Sequence, residues 1–349
     1  MSLPRRVVVA AVVLATVSTA ACGKPPEPGT VPAATSSWTA PPGLRGELTL
    51  YSANPQDLTD DLVAAFTKAS GVKVTVFSAE TGKITAKLDK EGPSPAADVV
   101  YLASWTPAAQ YDLDGRTLPY TPRGADRVHD GWIGKNHGFL GRDGSALTMV
   151  VNTKASRRLP NDWADLAAPE FRGKVIMPDP RESGTARDLL AAMVSAWGKD
   201  DTWAVFDALF ANGMVVRGGN GPALDEVGSG NGCAVVLGGA DYAAYDAAAK
   251  GVPLRVISPA SGTIVTPRPV FILNTTRNPA AAKALVDYMF TPEAQQISAA
   301  HKMIPARTDI PVAPGTRTYA EVKQLPFSWD QIKGNGAAIL AEFVQRYLH

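Results

Sequence analysis

The sequence predicts an α/β protein of two lobes built on largely parallel sheets. Three observations carry that expectation. Segments alternate between strand and helix patterns, which is the signature of α/β architecture. The alternation restarts past residue 174. From residue 44 onward about 306 residues remain, more than one hydrophobic core usually serves.

The elements follow in chain order. Residues 46–52, GELTLYS, alternate as a strand, and Leu58, Leu62, Ala65, Phe66 and Ala69 then form the apolar stripe of a helix. Val72, Val74 and Val76 mark a second strand, followed by Glu80, Thr81, Gly82 and Lys83 and a helix with Ile84 and Leu88 on one face. Residues 97–102, ADVVYL, form a continuous apolar run of the kind buried on both faces of a parallel sheet. Residues 174–177 read as a strand, and the turn around Ser183, Gly184 and Thr185 opens a helix carrying Leu189, Leu190, Met193, Val194 and Trp197. Residues 233–237 are another buried strand, ending at Gly238 and Gly239 before a helix that starts near Asp241 and Tyr242. Residues 254–257 and 270–273 add strands. Asn278-Pro279 and Thr291-Pro292 each read as a cap and first turn of a helix. Chain crossings between lobes are expected near residues 147–152 and 267–273.

The N-terminus reads as an export signal. Arg5 and Arg6 precede an apolar run of about 15 residues that ends in Thr19, Ala20, Ala21 and Cys22. That run is shorter than the roughly 18 residues a membrane-spanning helix needs. The layout is that of a bacterial lipoprotein signal over residues 1–22, with Cys22 as the acylated residue; simple secretion is the alternative. Residues 23–43 carry Pro25, Pro26, Pro28, Pro32, Pro41 and Pro42 without apolar periodicity and read as a tether. An extracytoplasmic body, lipid-anchored to the cell membrane, is the organisation these segments predict.

Charge and chemistry exclude several functions. The 34 basic against 33 acidic residues supply no global field for nucleic acid. Besides Cys22 only Cys233 remains, in an apolar run where a buried inert thiol is expected. Thr81-Gly82-Lys83 fails the phosphate-loop pattern, because Phe77 and Ile84 stand where a glycine and a hydroxyl residue are needed. His129, His137, His301 and His349 have no metal-ligand spacing, and no nucleophile elbow is present. No cofactor is expected.

Ligands of open α/β sheets sit at the carboxyl ends of strands and at helix N-termini, where free N–H groups and the helix dipole favour an anion. Two loops answer that description. One carries Ser78, Thr81, Gly82 and Lys83, and the other Ser183, Gly184 and Thr185. Plain helix capping is the alternative for each.

A family resemblance runs from about residue 46 to the end of the chain. The blocks LTLYSANPQDLTDDLVAAFTKASGVKVTV, ADVVYLAS, LTMVVNTK, LAAPEFRGKVIMPDP with ESGTA, GGNGPALDEVGSG and SGTIVTPRPVFIL with NPAAAKALVDYMFTPEAQ resemble extracytoplasmic solute-binding proteins of ABC importers. The chain is similar to the group associated with ferric iron, 2-aminoethylphosphonate and other phosphorylated compounds. The resemblance implies a type II periplasmic-binding-protein-like fold with a ligand cleft between lobes joined by a two-stranded hinge. It also implies a monomer that hands its solute to a membrane permease driven by an ATPase, and no enzyme. Lobe 1 would comprise residues 44–149 plus 272–349, and lobe 2 residues 150–271.

Within that group the ligand stays open. Ferric-binding members resemble one another in a histidine after the first strand, where this chain has Asn54, and in a Tyr-Tyr pair, where it has Asp241-Tyr242. Glu80, Tyr242 and Tyr245 would be the iron ligands. A small phosphorus-containing anion uses more of what is present. Thr81, Gly82, Ser183, Gly184 and Thr185 would donate to the oxyanion, Arg217 or Arg268 would add charge, and Asp241, with Glu80, would take an ammonium or sugar hydroxyl. A hydrolase with Ser183 as nucleophile is the reading from another class, and it lacks a base placed to activate the serine.

Overall fold

The computed structural model describes residues 38–332 and 335–348. Cys22, the export signal and the first part of the tether lie outside the described residues.

The first lobe opens with β1 (Glu47–Ser52), α1 (Gln56–Ser70), β2 (Lys73–Ser78), α2 (Thr81–Glu91), β3 (Val99–Tyr101) and α3 (Trp105–Leu113). β1 takes β2 and β3 as parallel partners on its two sides. Helix α1 buries Leu58, Leu62 and Phe66, spaced four apart, and stops at Gly71, whose φ of +73° is a left-handed cap that a side chain would strain. In the apolar run ending β3, Val99 and Tyr101 enter one core while Val100 and Leu102 enter another, so the strand is covered on both faces as its composition predicted.

β4 (Leu140–Asn152) is buried along its whole length and leads into the second lobe. There the chain forms β5 (Val175–Met177), α4 (Gly184–Trp197), α5 (Lys199–Ala211), β6 (Val215–Val216), α6 (Asn220–Ser229), β7 (Val235–Ala240), α7 (Asp241–Ala249) and β8 (Leu254–Ile257). It returns through β9 (Val265–Ile272) to α8 (Pro279–Met289), α9 (Pro292–Ala300) and β10 (Ile304–Pro305), and ends with α10 (Trp329–Ile332) and α11 (Gly336–Tyr347). The caps read from Asn278 and Thr291 are formed: each side chain accepts from the backbone N–H three residues on.

The strands order as β2-β1-β3-β9-β4-β7-β5-β6, with β8 and β10 also on β4. Each lobe has a parallel group, β2-β1-β3 in the first and β7-β5-β6 in the second. Between them β9 and β4 run antiparallel. β4 pairs with β9 from Leu140 to Ala146 and with β7 from Leu147 to Val151, so it changes lobes at Ala146–Leu147. The return crossing lies at residues 264–265, where Leu147 N–H donates to Ile264. The first crossing falls at the start of the expected range and the second a few residues before it; both strands are buried on either side of the switch, so burial along them does not mark it.

Each lobe carries a core on both faces of its sheet. Residues from 325 onward, expected with the first lobe, place Leu325, Ile332, Ile339 and Phe343 in the core of the second, where α11 lies on α4. The apolar stripe of α11 finds no open face on the first sheet, whose two sides are already covered by α1 with α8 and by α2 with α3. Trp329 touches both lobes: its ring lies 5.7 Å from that of Trp105 on α3.

Candidate functional site

The site is built from helix starts that follow parallel strands. β2 ends at Ser78, and the chain turns through Glu80, the N-cap of α2, into Thr81. After β5, Ser183 caps α4: its hydroxyl accepts from Ala186 N–H at 3.2 Å. After β6, the loop through Gly218, at φ +66°, delivers Asn220 to the start of α6. These three starts meet. A Cβ on Gly184 would stand 2.5 Å from Ser104 Cβ and 2.9 Å from Thr81 of the other lobe, and one on Gly82 would collide with the Arg181 carbonyl. Gly82 N–H donates to Glu182 O at 3.3 Å. Both loops singled out in the sequence therefore face each other across the cleft, which is closed.

Ser183, Thr185 and Asn220 form one polar group. The Ser183 hydroxyl lies 3.1 Å from Thr185 Oγ1 and 3.2 Å from Asn220 Oδ1, and Asn220 Nδ2 donates to Thr185 Oγ1 at 3.0 Å. With its hydroxyl committed to the cap and to two neutral partners, Ser183 has no base among its hydrogen-bond partners, so the hydrolytic reading gains nothing from the geometry. Thr81 is 1 % exposed and its Oγ1 has no protein partner, and the same holds for the Oδ1 of buried Asn54. Asn54 Nδ2 donates to the Tyr101 carbonyl, which places it beside the hinge.

Arg268 on β9 carries a charge that acts on Glu80, the N-cap of α2, and its Nη1 lies 3.0 Å from Met303 Sδ. The arginine is buried and forms no ion pair among the described residues. Across the strand pair its neighbour is Asp143, but that carboxylate is already held by Arg142 at 2.6 Å and by the Tyr101 and Ser298 hydroxyls at 2.7 Å. The Arg268 guanidinium rests 4.9 Å from the Tyr242 ring, and its Nε has no hydrogen-bond partner among the described residues. A buried cation without a directly paired carboxylate among the described residues thus lies within electrostatic reach of the start of α2, whose dipole carries the same sign.

Glu80 balances part of that charge. Its side chain packs on Gly219. Burial, then the nearby Glu182 charge, raise its pKa above the usual carboxylate range, while Arg268 and Lys83 pull it down. Asp241, expected to meet a ligand's ammonium group, has one carboxylate oxygen engaged by the protein: its Oδ1 accepts from Ala146 N–H at 3.0 Å and from Tyr242 N–H at 2.8 Å, tying α7 to the hinge strand. Burial pushes its pKa up to about 7 against those bonds.

Arg217 is not brought to the site; it is exposed and paired with Glu226 at 2.6 Å. Tyr245 is half-buried beside Arg317, its pKa raised by burial and then by Asp241. Both tyrosines considered as iron ligands thus have an arginine neighbour. Sequence reasoning missed Asn220 and Asp188. The Gly-Asn-Gly turn before a helix was a usable signal for the first. Asp188, a single carboxylate in an apolar helix, gave none. A groove of about 730 Å³ between α3 and α11, lined by Pro107, Gln110, Leu340 and Val344, contains none of the residues read as ligand contacts.

Two lobes on crossing strands, with a closed cleft lined by helix N-termini and one buried arginine, define the class of solute-binding proteins. The chain belongs to the bacterial extracellular solute-binding protein family, whose model matches residues 106–335. It is 24 % identical to iron uptake protein A1 of Synechocystis sp. over 83 % of this chain and 84 % of that protein. It is also 24 % identical to a putative 2-aminoethylphosphonate-binding periplasmic protein of Salmonella typhi, over 70 % of this chain and 73 % of the other. Among solved structures it superposes on the periplasmic binding protein AfuA of Actinobacillus pleuropneumoniae, with fructose-6-phosphate bound, at a TM-score of 0.81 and 22 % identity, covering 86 % of this chain and 98 % of that one. The chain is the extracytoplasmic solute-binding component of an ABC importer.

Proposed function

We propose that the protein captures a small phosphorus-containing organic anion, of the 2-aminoethylphosphonate or phosphate-ester kind, in the interlobe cleft and delivers it to the permease. The observation that carries this reading is Arg268, a buried guanidinium without a directly paired carboxylate among the described residues, whose charge reaches Glu80 at the start of α2. A phosphoryl group would accept from Arg268, from the Thr81, Ser183 and Thr185 hydroxyls, from the Asn220 amide and from Gly184 N–H, beside the Gly82 turn, while Asn54 Oδ1 would accept from a hydroxyl or ammonium of the ligand. Glu80 would take the ammonium or hydroxyl at the ligand's other end. Asp241 would act through the hinge and Tyr242.

Ferric iron is the competing cargo, supported by Tyr242 and by the relative named for iron uptake. It is disfavoured because a fixed cation 4.9 Å from the Tyr242 ring opposes a trivalent ion on that phenolate. We further propose that the chain is processed and acylated at Cys22, works as a monomer and is held to the membrane by that anchor; mass spectrometry of the membrane-extracted protein reads the acyl group directly.

A thermal-shift screen of the full chain in detergent with 2-aminoethylphosphonate, phosphate, sugar phosphates, phosphoglycerate and ferric citrate tests the cargo, since a ligand of the native state raises the melting temperature. A rise with an organophosphorus compound and none with iron is expected. A rise with ferric citrate alone, with a visible tyrosinate colour, would overturn the reading.

A further inference from the structure

A fourth helix start, that of α3, borders the three that meet in the cleft, but the protein itself closes it to any ligand. Asp188 lies one turn into α4, on the second lobe, and is fully buried. Its carboxylate reaches into the first lobe and takes three donors at the start of α3. Trp105 N–H donates to Oδ2 at 2.8 Å, the Ser104 hydroxyl to Oδ1 at 2.9 Å, and the Thr106 hydroxyl to Oδ1 as well. Ser104, at the N-cap position, does not cap its own helix. A residue of the opposite lobe supplies the cap that local sequence leaves out.

This arrangement exists only when the lobes are closed. When they part, Asp188 returns to water, and the α3 start loses its acceptor and is solvated too. The bonds therefore have differential strength in the two states, which is what shifts an equilibrium between them. A ligand contact would stabilise closure only when ligand is present, whereas Asp188 does so always.

We propose that Asp188 is a positioning residue of the transport cycle: a tethered carboxylate that docks on the N-terminus of α3 and holds the two lobes closed independently of the solute. It rests on the two-lobed fold and not on the identity of the cargo. A second bond across the cleft, Gly82 N–H to Glu182 O, lies on different elements and reports closure independently.

Hydrogen exchange of the full chain without added ligand tests the inference, read at the Trp105 and Gly82 amides. In the natural protein both amides should be protected. Asp188→Ala should speed exchange at both by about tenfold or more, the effect of losing one charge-assisted bond from a single state. Asp188→Asn, which keeps an acceptor for Trp105, should restore part of the protection. If Asp188→Ala fails to fold, Ser104→Ala with Thr106→Val removes the donors from the other lobe and should give the same response at Gly82. Faster exchange confined to Trp105, with Gly82 unchanged, would show an ordinary helix cap and overturn the proposal. Failure of the phosphorus-anion reading would appear in the ligand screen and leave these amides as they are.

Discussion

Arg268 and Asp241 show how single residues set the character of the cleft. Replacing Arg268 by Met keeps the length of the side chain and removes the charge. A buried unpaired cation is costly, so the unliganded variant should melt no lower than the natural protein, while ligand affinity should fall by about 2–3 kcal/mol. Calorimetric titration with the ligand found in the screen, beside a melting curve, checks both halves. For Asp241 the folded-state pKa of about 7 lies above its ordinary value of 3.8. A carboxyl group raised on folding contributes stability below the lower value and loses it as pH rises through the higher one. Asp241→Asn keeps an acceptor for Ala146 and Tyr242 and removes that loss. The melting temperature of the variant should therefore exceed that of the natural protein above pH 7, and the difference should vanish near pH 4. Parallel pH dependence of the two proteins would mean that Asp241 stays ionised in the fold.

Among the elements, the start of α4 and the placement of α11 make the clearest demands. Gly184 has an ordinary helical setting within its own lobe, and the atoms that a Cβ would meet, Ser104 Cβ and Thr81, belong to the other. Gly184→Ala should speed exchange at the Gly82 amide of the unliganded protein and weaken ligand binding by about tenfold or more, the cost of holding the lobes apart. Calorimetric titration measures the loss; unchanged affinity would mean that the lobes do not close this far around the ligand. Helix α11 is an integral part of the second core, with Phe343 fully buried against Phe206. Phe343→Ala should cost about 3–5 kcal/mol, the usual range for such truncations, measured by urea unfolding of the second lobe. A loss under 1 kcal/mol would place α11 outside the core.

For the whole molecule the two crossing strands, the strap at Trp329 and the Asp188 contact make closure a property of the entire chain. The helix starts on β2, β5 and β6 belong to separate βα units, and only the alignment of two sheets along β4 brings them within contact. Trp329, wedged against Trp105 at the border of the two lobes, should sense that alignment. Parting of the lobes, as expected in Asp188→Ala, should change tryptophan emission relative to the natural protein and change it less when Trp329→Phe is added.

How much of this was legible beforehand differs by residue. The strands around Val99–Tyr101 and Val235–Ala240, the caps at Asn278 and Thr291 and the two glycine-bearing loops were written locally, in periodicity and in turn chemistry. They depend on neighbours a few residues away, and so the sequence by itself determined the α/β class, most elements of the two lobes and two of the three helix starts that meet in the cleft. Tertiary structure alone decided that Arg268 goes without a carboxylate, because Arg142 takes Asp143; that Arg217 stays outside; that Asp241 serves the hinge; that α11 joins the second lobe; and that Asp188 caps a helix 83 residues away. Each of these is a choice between partners distant in the chain. Local propensity carries no term for such a choice, which is made by which charges and apolar faces the folded lobes have left unsatisfied.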